Sequence, residues 1–142
     1  MVEAATVDRR LETIEERRLS RLEETSYAAL EDYLDDRDLQ DVVERNFELA
    51  IQAAIDLGLH LLADRPHPLP ETNRAVFHAL AREGFLDEEL AASLSSMAGF
   101  RNVLAHEYPE LLPELVHANL ERLDEIRDYV KVLLPHLRPG RR

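Results

Sequence analysis

The stretch that decides the fold is Asp41-Val42-Val43-Glu44-Arg45-Asn46-Phe47-Glu48-Leu49-Ala50-Ile51-Gln52-Ala53-Ala54-Ile55-Asp56-Leu57-Gly58-Leu59-His60-Leu61-Leu62. Val43, Phe47, Ala50, Ile51, Ala54, Ile55, Gly58, Leu61 and Leu62 recur at steps of three and four, so they share one broad helical face. Asp41, with Glu44 three residues on, reads as a capping-box start. A helix this apolar on one side has to be covered by others, which makes it the expected centre of a helical core.

Outward from it, the seven prolines fall at positions 66, 68, 70, 109, 113, 135 and 139, leaving long stretches free of helix breakers. Upstream, one helix is expected over residues 8–35. Leu19, Leu22, Ala29, Leu30 and Tyr33 form its stripe, and charge dominates its first half, which is expected to be exposed. Downstream, a proline-rich loop over residues 65–70 leads to a short helix over 72–83 that buries Val76, Phe77 and Leu80 and ends at Gly84. Asp87 then reads as the N-cap of a helix carrying Leu90, Leu94, Met97, Phe100 and Leu104. A last helix from about Glu114 repeats Val116, Leu120, Leu123, Ile126, Val130 and Leu134 before a basic tail at Arg138, Arg141 and Arg142. No segment has strand periodicity. The expected fold is all-α: an up-and-down helical bundle of four long helices plus a short one. It is expected as a single domain over residues 1–142, with residues 1–10 and 138–142 as flexible ends.

The composition of the 142 residues narrows the chemistry. Cysteine is absent, which removes disulfides, thiolate metal sites and thiol nucleophiles and fits a reducing compartment. Asp8, Arg9, Arg10, Glu12, Glu15 and Glu16 stand where a signal peptide would need an apolar run, and no apolar stretch approaches membrane-spanning length, so a cytoplasmic location without membrane contact is expected. A formal net charge of −12 repels nucleic acid at long range, so any polyanion has to be held locally.

One segment breaks the apolar pattern. On a regular helix Arg101 and Tyr108 project close to the direction set by Leu90, Met97 and Leu104, where an arginine conflicts with a purely apolar stripe. His106 lies about 140° from Arg101, while Asn102, four residues before it, shares its face and is placed to orient the imidazole. A joint Arg101–His106 site therefore needs arginine's reach, a distortion before Pro109, or a second subunit, and a symmetric dimer is the favoured solution. Spacing alone also allows a plain reading in which Arg101 snorkels, His106 is solvated and Tyr108 is an amphipathic helix-end residue.

The run Met97-Ala98-Gly99-Phe100-Arg101-Asn102-Val103-Leu104-Ala105-His106-Glu107-Tyr108 resembles the signature of the HEPN-domain toxins, the HepT-like members of HEPN/minimal-nucleotidyltransferase toxin-antitoxin pairs, whose motif is Arg, four residues, His, one residue, Tyr. Arg45 to His60 is similar to the helix that this family sets beside its motif. The likeness spans about residues 41–134. It implies a metal-independent endoribonuclease toxin that works as a homodimer on an RNA substrate and is silenced by a cognate nucleotidyltransferase antitoxin. AMP transfer to the motif tyrosine, here Tyr108, is one implied route of silencing.

The residue types suit that chemistry. Metal-free RNA cleavage needs protons moved between the 2′-hydroxyl and the leaving oxygen, and charge stabilised on phosphoryl oxygens. A histidine titrates near neutrality, so His106 is assigned acid/base work; arginine stays charged and grips phosphate bidentately, so Arg101 is assigned phosphate binding. One imidazole does not readily serve as base and acid in a single step, so a dimer presenting two is the fuller solution. AMP on Tyr108 would occlude the cleft and satisfy Arg101 in place of RNA.

Other candidates carry less. Asp56 either supports the active site or closes a polar network, and Arg45 reads as an exposed or interface residue. His60, His67, His78, His117 and His136 have no paired metal-ligand spacing, so neither a metal nor a cofactor is expected. The acidic pairs alternating with arginine along the first helix read as a solvated face. The alternative to catalysis is a helical partner that binds a nucleotidyltransferase and positions its substrate; a purely structural bundle ranks last.

Overall fold

The structure is a computed structural model. It describes the backbone of residues 2–25, 28–106 and 113–137, without the side chains of 2–4, 15–16 and 102–106. Among the described residues there is no β-strand, and the chain is a helical bundle as expected. Six helical rods follow in order: α1 (residues 2–25), α2 (Leu30–Leu34), α3 (Arg37–Leu62), α4 (Asn73–Arg82), α5 (Glu88–His106) and α6 (residues 113–137).

The N-terminal region departs most from the sequence expectation. In place of one helix over 8–35, α1 begins at Val2 and joins an α-helix Val2–Glu12, a π-helical turn Thr13–Leu19 and an α-helix Ser20–Thr25. Val7, Leu11, Ile14, Leu19 and Leu22 are all buried, so one face of this rod packs into the core along its length from Val7. The π turn has a cause in the spacing. The five-residue step from Ile14 to Leu19 would rotate Leu19 about 140° off the stripe of an α-helix. Winding with i→i+5 bonds absorbs the extra residue and keeps both side chains inside.

Tyr33, read as part of the first stripe, belongs to α2 instead. Ala29 is extended, with ψ 150°, and breaks the helical path. The Tyr33 ring then packs on His117 of α6 with centroids 5.3 Å apart, and His117 Nε2 lies 2.8 Å from the Ala28 carbonyl. Leu30, expected on the stripe, is exposed.

α3 starts four residues earlier than the sequence suggested. Asp36 is its N-cap, its Oδ1 accepting the Leu39 N–H at 3.0 Å, so Asp41 and Glu44 lie inside the helix. The Gln40 amide donates to the carbonyls of Tyr33 and Leu34 and closes the end of α2. α3 is the hub. It runs antiparallel to α1, since Arg10 pairs with Asp56 and Arg18 with Asn46.

On its other side α3 meets α4 and α6 at Gly58. A Cβ there would come within 2.8 Å of Tyr129 Oη and 2.9 Å of both Leu80 Cδ1 and Val76 Cγ1, so only glycine permits this approach. The buried Tyr129 hydroxyl donates to the Ala54 carbonyl at 2.7 Å, satisfying itself on the α3 backbone. Burial, followed by the charge of Asp56, holds that phenol far above its ordinary ionisation range.

α4 ends at Gly84 as expected, and its N-cap is Thr72. Thr72 accepts the Ala75 N–H at 3.2 Å, and Gly84 takes the left-handed conformation, φ +86°, after its end. α6 is not one regular helix: Pro113–Asn119 passes through a 3₁₀ turn, Leu120–Arg122, into Leu123–Leu137. Its stripe ends on Leu133 and Leu137, with Leu134 outside. Among the described residues no helix is long and apolar enough to cross a membrane. The basic tail and the expected flexible end at 138–142 lie outside the described residues.

Candidate functional site

α5 carries the motif. Asp87 starts it as expected, its Oδ1 accepting the Leu90 N–H at 2.7 Å. Leu94, Met97 and Ala98 are buried along the helix, and Phe100 sets its ring edge-on to Phe47 of α3 with centroids 6.1 Å apart. This packing fixes the backbone that bears Arg101.

Arg101 is half-buried, and its Nε–H is enclosed with no hydrogen-bond partner. An enclosed donor without an acceptor is costly, by about 1–3 kcal/mol. A purely structural arginine would have resolved this by pairing with a carboxylate or carbonyl. The conflict seen in the sequence, an arginine on the apolar side of a helix, therefore persists in three dimensions.

α5 continues as a helix through His106. Arg101 and His106 thus stand on one rod, separated by about 7.5 Å of rise and about 140° of rotation. Asn102 occupies the same rod one turn before His106. α5 is α-helical up to His106, so within one protomer its geometry keeps the two motif positions on different faces. The side chains of Asn102, Leu104 and His106 lie outside the described residues, as does Tyr108 altogether.

Asp56 is placed elsewhere. On α3 it accepts from the Gln52 amide at 3.0 Å and pairs with Arg10 of α1 at 3.4 Å. Among the described residues its contacts tie α1 to α3.

Sequence reasoning missed Arg74 of α4. Its side chain lies over Gly99, where an added Cβ would sit 3.6 Å from both Arg74 Cδ and Nε. Gly99 shares a face with His106 two turns later, so Arg74 adds an exposed cation beside that face. No periodicity in α4 announces this, because the placement depends on how α4 crosses α5.

Three of the remaining histidines have side-chain partners: His67 faces Glu83 at 3.6 Å, His117 packs on Tyr33 and His136 packs edge-on against Phe85. Among the described residues no group of three or more histidine, aspartate or glutamate side chains is arranged to hold a metal ion.

Comparison with known proteins bears on the family and the fold. Residues 14–133 match the family model described as Ribonuclease HepT-like. Over 115 residues, 81% of this chain and 78% of the relative, the sequence is 35% identical to a tRNA nuclease HepT of Aphanizomenon flos-aquae. Over 96 residues, 67% of this chain and 72% of the relative, it is 30% identical to an mRNA nuclease HepT of Shewanella oneidensis.

Among solved structures, the tri-AMPylated HEPN toxin of Shewanella oneidensis in complex with its MNT antitoxin superposes with a TM-score of 0.82 at 25% identity, covering 91% of this chain and 96% of that one. A toxin-antitoxin structure with AMP-PNP superposes with a TM-score of 0.81, also at 25% identity, covering 90% and 97%. With the match running from the π turn of α1 to the end of the core in α6, the chain belongs to the HepT-like ribonuclease family.

Proposed function

We propose that the protein is the toxin of a toxin-antitoxin pair, a metal-independent endoribonuclease that acts as a homodimer in the cytoplasm. The observation that carries this reading is the Arg101 guanidinium. It is held on a packed helix with an enclosed, unpartnered N–H, five residues ahead of His106. Phosphate oxygens would supply the missing acceptor.

In the proposed reaction the 2′-oxygen of one ribose bonds to the adjacent phosphorus, and the bond from phosphorus to the 5′-oxygen of the next nucleotide breaks. His106 takes the 2′-hydroxyl proton, and a second imidazole, the partner's His106, gives a proton to the departing 5′-oxygen. Arg101 holds the phosphoryl oxygens as charge grows on them. Asn102 orients the His106 ring, and Asp56 contributes at one remove by holding α1 against α3. Because α5 stays α-helical through His106, two protomers are the simplest way to set both residue types around one phosphate.

The antitoxin in this proposal is a small nucleotidyltransferase that transfers AMP from ATP to the Tyr108 hydroxyl, releasing pyrophosphate. The added phosphodiester lies two residues from His106 and competes with RNA for Arg101. Its basis is the family membership and the AMPylated state of the Shewanella oneidensis relative.

The test is chemical. RNA cut by the purified chain should carry 2′,3′-cyclic phosphate and 5′-hydroxyl ends, and co-expression with the nucleotidyltransferase should abolish cutting and add AMP to Tyr108. Cuts bearing 5′-phosphates would rule out attack by the 2′-hydroxyl.

A further inference from the structure

Two clefts lined by described residues differ in charge. One of about 690 Å³ between α5 and α6 is lined by Asp87, Glu89, Glu125 and Asp128, with Lys131. The Ser93 hydroxyl donates to Glu125 and Arg122 donates to the Ser93 carbonyl, so its polar groups answer one another. The other cleft, about 680 Å³, opens between the π-helical turn of α1 and the first turns of α3. It is lined by Arg17, Arg18, Arg21 and Arg45, with Asn46 and Asp41. Four guanidinium groups against one carboxylate is a strong local excess in a chain of net charge −12.

Among the described residues these arginines are only partly neutralised. Arg18 donates to Asn46 Oδ1 at 3.1 Å, its Nε is enclosed without a partner, and among the described residues no carboxylate lies within ion-pair distance of it. Asn46 is itself buried and held by the Val42 carbonyl at 2.7 Å, so it presents Arg18 from a fixed position. Desolvation, with the charges of Arg17 and Arg45, disfavours the Arg18 cation. Arg17 is exposed and has no ion pair among the described residues. Among the described residues Arg21 and Arg45 pair with Glu24 and Glu48, three residues along their own helices, in exposed contacts of small worth.

An anion with several oxygens resolves the repulsion, and arginine forks match phosphate oxygens. The cleft also lies near the motif helix through packed side chains. Asn46 is followed by Phe47, whose ring meets Phe100, the neighbour of Arg101.

We propose that this cleft is a phosphate-binding subsite that holds the RNA backbone at a phosphate other than the one being cut. The inference rests on the nuclease reading above. It also answers how so acidic a chain holds a polyanion: the cation is concentrated within one protomer, on a turn whose π winding keeps Leu19 in the core while its arginines line the cleft.

The test uses the full-length His106→Ala protein, so that RNA is bound without being cut, and compares two double variants with the same charge change. Arg17→Glu/Arg21→Glu reverses exposed cleft arginines; Arg9→Glu/Arg82→Glu reverses exposed arginines elsewhere. The cleft variant should bind a fluorescent single-stranded RNA at least about tenfold more weakly, a loss of about 1.4 kcal/mol. The slope of log affinity against log salt should fall by about 1.4, two contacts at about 0.7 each. The distal variant should change both far less, and circular dichroism should show both folded.

Equal losses in the two variants would reduce the effect to net charge and overturn the subsite. So would unaltered RNA binding with loss of the nucleotidyltransferase complex, which would make the cleft a protein-docking surface. A wild-type chain that neither binds nor cuts RNA would bring down the nuclease reading itself, a result distinct from wild-type cutting with an unaffected cleft variant.

Discussion

α3 serves two regions that obey opposite rules. Around Gly58 its face is apolar, closed by Val76, Leu80 and Tyr129, and the buried tyrosine hydroxyl has its acceptor on the helix itself. At its other end, and on the neighbouring α5, arginines stand with enclosed N–H groups that nothing in the described chain accepts, Arg18 at the cleft and Arg101 in the motif. The first region is complete within one protomer. The second is left incomplete in a way that an anion would finish, and the difference separates what makes the molecule stable from what makes it act.

That contrast breaks if variants in the two regions behave alike. The largest effect should come from Arg101→Ala, which is expected to lower RNA cleavage by two orders of magnitude or more, about 2.7 kcal/mol in transition-state stabilisation. Urea unfolding should show its stability unchanged or raised, because an unpaired enclosed donor is removed.

Gly58→Ala should do the reverse. Its methyl group collides with three side chains and should cost about 1–3 kcal/mol in unfolding free energy, while the cleavage rate per folded molecule holds. Tyr129→Phe removes the bond to Ala54 and should cost about 1 kcal/mol.

Tyr129 also sharpens the comparison through pH. Its folded-state ionisation is shifted upward, so its stabilising effect is intact below about pH 10, where the unfolded phenol begins to ionise. Above that pH the unfolded chain loses the proton and the folded one keeps it, so stability declines as pH rises. Unfolding midpoints above pH 10 should fall less steeply in Tyr129→Phe. The smallest effect belongs to Thr72→Ala, which should cost about 1 kcal/mol or less through the α4 cap, without altering RNA affinity.

The closed region was legible in the sequence because its organising force is apolar periodicity. The face of α3, the cap at Asp87 and the turn at Gly84 follow from local residue types. What was not legible depended on tertiary choices. The break at Ala29 follows Tyr33 docking on His117, and the start of α3 at Asp36 followed a nearer cap than Asp41. The π turn was present in the five-residue step between Ile14 and Leu19, but the charged residues between them read as a solvated face.

The site divides the same way. Arg101 stood out as a charge on an apolar stripe, and the structure retains that anomaly. Arg17, Arg18 and Arg21 were hidden among acidic neighbours, and only their convergence with Arg45 across two helices gives them meaning. Arg74 reaches the motif helix through the crossing of α4 and α5, which no single-helix pattern encodes.

The central claim is that Arg101 and His106 together cleave RNA without a metal. It is met most directly by incubating the purified full-length chain with RNA in excess EDTA, beside His106→Ala of equal stability. Undiminished strand scission by the wild type and a loss of at least about a hundredfold in the variant are expected. Cleavage that vanishes with EDTA, or that survives the loss of the imidazole, would contradict it.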